Sequence, residues 1–189
     1  PAMKYLLLPR LTPLSIFFFL FISNLYADNN WHHVKDGNKI ILIRHSLAPG
    51  NGDPPGFNIK DCRTQRNLNQ EGINQSIKIG KLFKKKNIPI DKVFSSEWCR
   101  CKDTAKYAFE EFEEFSALNS TFQKPFDKNE LKQIKEIKAY VKKWNKRQKN
   151  LVFITHYSII TALTKSAPSS GEIVITDKNF NVLGTIPTN

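Results

Sequence analysis

The chain has 189 residues, with 29 lysines and arginines against 17 aspartates and glutamates, and a formal net charge of +12. A chain of this length forms one domain, because single domains typically contain ~100–200 residues, and a second full domain is not expected. The positive charge favours anionic partners. Nucleic acid is not expected, because the lysines alternate with acids along helical stretches and no nucleic-acid-binding motif is recognisable.

The first part of the chain has the layout of a secretory signal. Lys4 and Arg10 precede the apolar run Leu14–Ile22, and a small residue at the end of the stretch offers a cleavage point. The apolar run is shorter than the ~20 residues that a membrane span needs. The sequence therefore predicts a signal peptide over residues 1–27, a domain over residues 28–189, and export to the periplasm or out of the cell. The alternative is an uncleaved leader that anchors the chain to a membrane.

The cysteines of the chain are Cys62, Cys99 and Cys101. An exported chain meets an oxidising compartment, in which cysteines tend to pair. We expect one disulfide between the segment of Cys62 and the segment of the other two, with one thiol left over. Zinc is not expected, because C-x-C with scattered histidines supplies too few ligands, and the sequence indicates no other metal or cofactor.

Apolar periodicity and turn residues predict alternating strands and helices. After a polar stretch that we expect to be loose (28–38), strands are predicted at 39–45, 91–96 and 150–156, and helices at 69–87, 97–112, 129–148 and 157–164. Residues 46–66 are predicted to form a long loop rich in Gly and Pro. Loops of this length in a compact domain are usually functional or mobile. Residues 171–186 are predicted to form a closing hairpin with its turn near Lys178–Asn179. The alternation indicates a three-layer α/β fold, a mostly parallel sheet flanked by helices.

The predicted helix 129–148 is amphipathic. Its apolar positions are expected to face the core, and they are Leu131, Ile134, Ile137, Tyr140, Val141 and Trp144.

Polar pairs follow the three predicted strands of the sheet: Arg44–His45, Ser95–Ser96 and Thr155–His156. In open α/β sheets, ligands bind beyond the carboxyl ends of the strands. If these strands are neighbours, their terminal side chains converge on one crevice. The sequence therefore predicts a site at this edge of the sheet.

The residue types at this edge suit phosphoryl transfer. An arginine guanidinium matches phosphate oxygens and stays charged, so Arg44 and Arg100 are expected to hold a phosphoryl group. The nearby positive charges disfavour protonation of His45, and a neutral imidazole is a nucleophile. His45 would attack phosphorus while His156 and the arginines stabilise the charge that develops, and water would then release the phosphohistidine.

Four motifs resemble, in sequence and in order, the signatures of the histidine phosphatase superfamily, which includes the phosphoglycerate mutases. They are "LIRHS" at 42–46, "RNLNQEGINQS" at 66–76, "SSEWCRCKDTA" at 95–105 and "VFITHYSII" at 152–160. The resemblance implies a doubly wound fold of the phosphoglycerate mutase type. It also implies a phosphohistidine at His45 and a phosphate pocket made by Arg44, Arg100 and His156.

Three further positions follow from the resemblance. Arg66 matches a position near the pocket entrance and is expected to recognise a second anionic group, the alternative being an exposed loop charge. Ser46 occupies a position where the family usually has glycine after the first histidine. Tyr157 likewise replaces the glycine that usually follows the second histidine. Both are expected to add bulk at the pocket rim, where Ser46 would contact the substrate.

The proton donor for the leaving group is open. The family commonly takes this proton from a carboxylate in a loop that corresponds here to Ser116–Gln123, and this stretch contains none. Asp53 and Glu172 are the candidates. The four glutamates between positions 110 and 114 are expected to face solvent at a helix end.

The predicted function is an exported, metal-independent phosphatase that hydrolyses phosphomonoesters through a phosphohistidine. Its expected partner is a phosphorylated small molecule or an envelope phosphosugar. One alternative is a non-catalytic phosphate-binding module of the same fold. Another is a phosphohistidine phosphatase, whose nitrogen leaving group needs less acid assistance. A mutase is disfavoured because nothing marks an acceptor site, and the sequence does not indicate an oligomeric state.

Overall fold

The computed structural model describes residues 30–189, so the predicted signal peptide and the predicted start of the domain lie outside the described residues. The strands are β1 Ile40–Arg44, β2 Ile90–Ser95, β3 Glu113–Glu114, β4 Asn150–Thr155, β5 Ile173–Thr176 and β6 Val182–Ile186. The helices are α1 His32–Lys35, α2 Gln70–Lys85, α3 Cys99–Phe109, α4 Glu130–Lys143 and α5 Tyr157–Thr164.

The strands form one sheet in the order β3-β2-β4-β1-β5-β6. Strands β3, β2, β4 and β1 are parallel, whereas β5 pairs antiparallel with β1, and β6 antiparallel with β5. The closing hairpin is confirmed. The three strands that carry the polar pairs, β2, β4 and β1, are direct neighbours, so their carboxyl ends meet at one edge of the sheet.

The sheet is the middle of three layers. Ile41 and Ile43 of β1 pack on one face, in a cluster with Ile79 and Phe83 of α2 and with residues of α3. The alternate residues of β1 pack on the other face, against α4 and α5. All of β4 is buried, as expected for a parallel strand that is covered on both sides. The predicted three-layer, mostly parallel fold is confirmed.

Helices α2 and α3 lie unusually close together on the first face. A Cβ atom at Gly80 would lie only 2.2 Å from the carbonyl oxygen of Ala108. Glycine at this position of α2 therefore allows the backbone of α3 to approach, and α3 carries Arg100.

Two expectations about local structure are wrong. The stretch 28–38 is not loose over its described part, because it contains α1, which is held down by the buried Trp31 with its ring 5.2 Å from that of Phe83. Leu131 does not face the core and is 87% exposed, since it lies in the first turn of α4, whose buried apolar residues are Ile137 and Val141.

The four glutamates near position 110 are exposed and follow the end of α3, as expected. Helix α3 ends at Phe109, where Glu110 adopts a φ of 69°. Glu113 and Glu114 then form β3, and they pair with Lys92 and Lys102. The chain that leaves this strand passes the ends of β2 and β4, since the backbone N–H of Phe115 donates to the carbonyl oxygen of Ser95 and Thr155 Oγ1 donates to that of Leu118.

Within residues 30–189, none of the helices combines the length and the hydrophobicity that crossing a bilayer requires.

Candidate active site

A pocket of about 270 Å³ lies at the carboxyl ends of β1 and β4. The sequence-predicted residues in its wall are Arg44, His45, Arg66, Arg100 and His156. The backbone N–H of His45 donates to the carbonyl oxygen of Thr155 at 2.9 Å, which joins the ends of the two strands. The fold therefore brings together the side chains that are far apart in the sequence.

The ring of His45 is fixed by its own backbone neighbour. The side chain is buried, and Nδ1 lies 2.9 Å from the carbonyl oxygen of Ser46. A carbonyl oxygen only accepts, so Nδ1 carries the proton of the neutral ring. Nε2 of His45 is then the nitrogen with a free lone pair.

His156 is buried on the other side of the same space. Its Nε2 lies 2.9 Å from Oγ of Ser96 and 3.4 Å from Sγ of Cys101. The centroids of the His45 and His156 rings are 5.4 Å apart, with an angle of 63° between the ring planes. Two imidazoles at this separation border one small volume of the pocket.

Both histidines are buried as neutral rings. Burial lowers the pKa of His45 and of His156 well below the ordinary value of 6.5, and the positive charge of Arg100 lowers both further. The sequence predicted the effect of the arginines. Burial is the larger cause, because a charged ring loses its hydration inside the protein.

Arg44 and Arg100 keep donors for an anion. Arg44 Nη1 donates to the carbonyl oxygen of Pro168 at 2.9 Å, and its guanidinium lies over the ring of Tyr157 at 5.5 Å. Arg100 Nη1 donates to Asp53. The Nε atoms of both arginines are buried and have no hydrogen-bond partner within the described residues. An anion in the pocket is the kind of ligand that guanidinium groups in this state attract.

Arg66 is part of the pocket wall and not a free loop charge. Its Nε donates to the carbonyl oxygen of Gly52 at 2.7 Å, and Nη1 donates to the carbonyl oxygen of Ala48. Burial, together with the charge of Arg100, lowers its pKa from the ordinary value. Arg63, in contrast, is exposed and pairs with Asp61.

Asp53 is an anchor for Arg100 in this structure. Its carboxylate accepts from Arg100 Nη1 at 2.8 Å, from the backbone N–H of Arg66 at 3.0 Å and from Trp98 Nε1 at 3.0 Å. The Asp53 and Arg100 side chains are only 2% and 3% exposed. Because these three contacts engage the carboxylate and Asp53 does not line the pocket, this position is unsuited to a proton donor.

The other two predicted positions also lie outside the pocket wall. Glu172 accepts the backbone N–H of Ser169 at 2.8 Å. Ser46 is completely buried behind the site, where its hydroxyl accepts from Ser76 at 2.8 Å and its backbone N–H donates to Thr104. The expectation that Ser46 adds bulk at the rim is therefore wrong, since its side chain turns towards α2. Tyr157 does lie in the pocket wall, and it is 40% exposed.

Sequence reasoning singled out no residue in two segments of the wall, Asn51–Gly52 and the stretch of Ser120, Phe122 and Gln123. Of the second, only the loop 116–123 that contains it followed from the family resemblance. The segments contact each other, since the backbone N–H of Asp53 donates to Gln123 Oε1 at 2.8 Å. The second segment follows β3, and a two-residue strand leaves no pattern in a sequence. The pocket wall contains no aspartate or glutamate among the described residues.

A disulfide joins the long loop to the start of α3. Cys62 and Cys99 are bonded, with their Cα atoms 5.7 Å apart, and Cys101 is a buried free thiol. The expected pairing between these segments, with one thiol left over, is confirmed. Gln65 adds a second connection, because its Oε1 accepts the backbone N–H of Cys99 at 3.0 Å. Loop and helix are thus tied together next to Arg100.

Among residues 30–189, no group of three or more His, Cys, Asp or Glu side chains is arranged to hold a metal ion. The fold and the pocket define a class of protein: an α/β protein that places two neutral imidazoles and three guanidinium groups around one pocket at the carboxyl ends of its parallel strands.

The family follows from the sequence comparison. Residues 40–147, more than half of the chain, match the sequence model of a family described as "Histidine phosphatase superfamily (branch 1)". The chain belongs to the histidine phosphatase superfamily. The match ends before His156, whose place in the site rests on the motif at 152–160 and on the structure. A comparison with curated protein sequences gave no match.

Solved structures share the fold at low sequence identity. TTHB049 from Thermus thermophilus is 16% identical, with a TM-score of 0.55, over 79% of this chain and 99% of that protein. The putative phosphohistidine phosphatase SixA from Agrobacterium tumefaciens is 13% identical, with a TM-score of 0.56, over 80% and 99%. The protein histidine phosphatase SixA complexed with tungstate is 14% identical, with a TM-score of 0.54, over 78% and 96%. At these identities the likeness establishes the fold.

Proposed function

We propose that this protein is a phosphatase that works through a phosphohistidine at Nε2 of His45. One observation carries the proposal. Nδ1 of His45 is committed to the carbonyl oxygen of Ser46, which leaves the Nε2 lone pair in a pocket lined by three arginines and, among the described residues, by no carboxylate. A neutral, oriented imidazole beside fixed positive charge is what in-line attack on a phosphoryl group requires.

The residues of the wall divide the work. Nε2 of His45 forms the bond to phosphorus, and the electron pair of the breaking bond leaves with the leaving group. Arg44, Arg100 and His156 contact the phosphoryl oxygens, while Asp53 holds Arg100 in place. Water then attacks the phosphorus of the intermediate and returns the electron pair to Nε2. Arg66, farther out along the loop, is proposed to bind a second anionic group of the substrate.

The missing carboxylate favours a second candidate reaction. Expulsion of an alkoxide needs a proton, whereas a phosphoramidate such as phosphohistidine has a nitrogen leaving group that needs less acid assistance. The pocket wall contains no carboxylate in the described part of the chain, and two structural relatives are named as a putative phosphohistidine phosphatase and a protein histidine phosphatase. Phosphomonoesters and phosphoramidates are therefore the two substrate classes to compare.

We also propose that the chain is exported, with a phosphorylated small molecule or an envelope phosphosugar as substrate. The Cys62–Cys99 disulfide supports this, because disulfides persist in oxidising compartments. A non-reducing gel of the protein from fractionated cells tests the proposal. An oxidised pair in an extracytoplasmic fraction is expected, and a fully reduced cytoplasmic protein would contradict it.

The function is tested by turnover of an aryl phosphate and of a phosphohistidine peptide. We expect turnover that survives a chelator and falls by ~10³-fold or more in His45→Ala, since the residue that forms the covalent bond is gone. His33→Ala is the matched control, because this histidine lies in α1, outside the pocket wall. Binding of phosphorylated compounds without turnover of any of them would instead identify a non-catalytic module.

A further inference from the structure

A chain of hydrogen bonds leads from His156 away from the pocket. Nε2 of His156 lies 2.9 Å from Ser96 Oγ, and Ser96 Oγ lies 3.1 Å from Asn119 Oδ1. Asn119 Nδ2 in turn contacts the carboxylate of Glu97. The proposed reaction makes no use of Ser96, Asn119 or Glu97, although they connect one of its two histidines to a negative charge.

The direction of each hydrogen bond in this chain can be derived. The backbone N–H of Glu97 donates to one end of the Asn119 amide at 2.9 Å, so that end is Oδ1, and Nδ2 donates to the Glu97 carboxylate. The single proton of the Ser96 hydroxyl goes to Oδ1, which only accepts. His156 Nε2 must therefore donate to Ser96 Oγ. The neutral ring carries its proton on Nε2, and its free lone pair is on Nδ1.

This tautomer has a consequence for anion binding. A lone pair on Nδ1 cannot form a hydrogen bond with a phosphoryl oxygen, which also only accepts. With a second proton on Nδ1, His156 would donate to the anion from one nitrogen and to the chain that ends on Glu97 from the other. The corresponding N–H of His45 ends on the neutral carbonyl of Ser46. A second proton on His45 would occupy Nε2, the attacking nitrogen, so His156 is the ring that can take up a proton without blocking the attack.

The charges around His156 keep this proton off until an anion arrives. Burial lowers the pKa of the ring, and Arg100, His45, Arg66 and Arg44 lower it further, in that order. The neighbouring Cys101 thiol does not compensate, since burial raises its pKa to about 12 and it stays uncharged. A bound dianion adds two negative charges among the guanidinium groups, and these charges raise the pKa of His156 again.

We propose that the pocket takes up one proton together with a phosphoryl dianion, on Nδ1 of His156, and that Ser96, Asn119 and Glu97 are positioning residues for this ring. The proposal rests on the proposed function for the identity of the anion. Among the described residues the pocket wall contains no carboxylate that could donate a proton, and a protonated His156 would take this role.

The proton completes the balance of the reaction. In the first step the N–P bond forms at His45 Nε2 and the P–O bond breaks. The electron pair of that bond stays on the leaving oxygen, which takes the proton from His156 Nδ1. In the second step water attacks phosphorus, the electron pair of the P–N bond returns to His45 Nε2, and the released water proton returns to His156 Nδ1. The alcohol and inorganic phosphate are the products.

Proton uptake can be measured without turnover. Sulfate is a suitable probe, because it is a tetrahedral dianion that carries no proton at neutral pH. Calorimetric titration of the whole protein with sulfate, in two buffers of different ionisation enthalpy, gives the number of protons that are bound. We expect about one proton per sulfate. His45→Asn should keep this uptake, and His156→Asn should lose it while sulfate still binds to the arginines.

Three results would overturn the proposal: sulfate binding without proton uptake, uptake that survives in His156→Asn, and no detectable sulfate binding. The outcome is separable from that of the proposed function. Turnover without proton uptake removes only the proton-uptake proposal. Uptake without turnover removes only the phosphatase.

The role of Glu97 is tested by a charge change that keeps the hydrogen bond. Glu97→Gln can still accept from Asn119, but it removes the negative end of the chain, so the pH above which sulfate-linked proton uptake is lost should fall by on the order of one unit. Glu97→Asp should restore the parent profile at least in part. Glu113→Gln is the matched control, because this glutamate pairs with Lys92 on the edge strand. An unchanged profile in Glu97→Gln would exclude the positioning role.

Discussion

At the scale of single residues, the site combines neutral histidines with charged arginines, and each kind of side chain has its own kind of hydrogen-bond partner. His45 and His156 have carbonyl and hydroxyl partners and are buried as neutral rings. Asp53 and Arg100 are buried as an ion pair. The motifs predicted the histidines and the arginines. The partner of Arg100 was not predicted, because nothing in the order of residues distinguishes Asp53 as an anchor from Asp53 as a proton donor.

The buried histidines predict an acid-sensitive stability. Their pKa values are lowered in the folded state, so below about pH 6.5 the unfolded chain binds more protons than the folded chain. The free energy of unfolding should therefore fall as the pH falls from 6.5 towards the folded-state values. It should fall by up to ~2.7 kcal/mol per pH unit for two histidines, with no such dependence above that window. Urea unfolding at successive pH values measures it. A His45→Asn, His156→Asn double variant with the same slope as the parent would contradict the argument.

At the scale of elements, the far end of the long loop 46–66 is attached to α3. The disulfide, the Gln65 hydrogen bond and the Asp53–Arg100 pair all hold it against the first residues of α3. The loop thereby carries Arg66 into the pocket wall. The Gly- and Pro-rich sequence predicted the length of the loop, whereas its attachment to α3 depends on contacts between distant residues.

Removal of the disulfide should lower the free energy of unfolding and leave kcat unchanged. The bond closes a separation of 37 residues, which corresponds to about 4 kcal/mol of unfolding free energy in the loop-entropy description. We expect the Cys62→Ser, Cys99→Ser variant to lose stability of this order. It should keep kcat, because Asp53 and Gln65 still position Arg100 and the loop. Denaturant unfolding and aryl phosphate turnover measure the two effects, with the reduced parent as control. Loss of kcat without loss of stability would refute this expectation.

At the scale of the whole molecule, the site is assembled from parts that span most of the described chain. The pocket joins the end of β1, the loop 46–66, α3, the segment after β3 and the start of α5. An anion bound in the pocket would contact several of these parts together, so it would bind the folded chain and not the unfolded one. Ligand binding and folding stability are therefore linked.

Sulfate should stabilise the whole domain. At ~100 times its Kd, a ligand of the folded state alone adds about 2.7 kcal/mol to the free energy of unfolding. Thermal or urea unfolding in sulfate, compared with chloride at equal ionic strength, separates specific binding from the screening of the net positive charge. Arg100→Ala should lose the difference between the two salts. An equal stabilisation by both salts would mean that no specific anion site exists.

The sequence by itself determined the alternation of strands and helices, the identity of β1, β2 and β4, and the histidines and arginines at their carboxyl ends. These features are local, since burial, periodicity and turn chemistry act over a few residues, and family motifs keep their order along the chain. The family resemblance indicated the loop 116–123, but the sequence could not predict which of its residues line the pocket, or the side-chain direction of Ser46. Each depends on which distant residues become neighbours.

The tertiary structure decided the ionisation and the hydrogen-bond partners of the site. Asp53 holds Arg100, and Nε2 of His156 is bonded to Ser96; both contacts join groups that lie tens of residues apart in the chain. A hydrogen bond forms only between atoms a few ångströms apart, and the burial of a group depends on the atoms that pack directly against it. Only the folded arrangement can specify them.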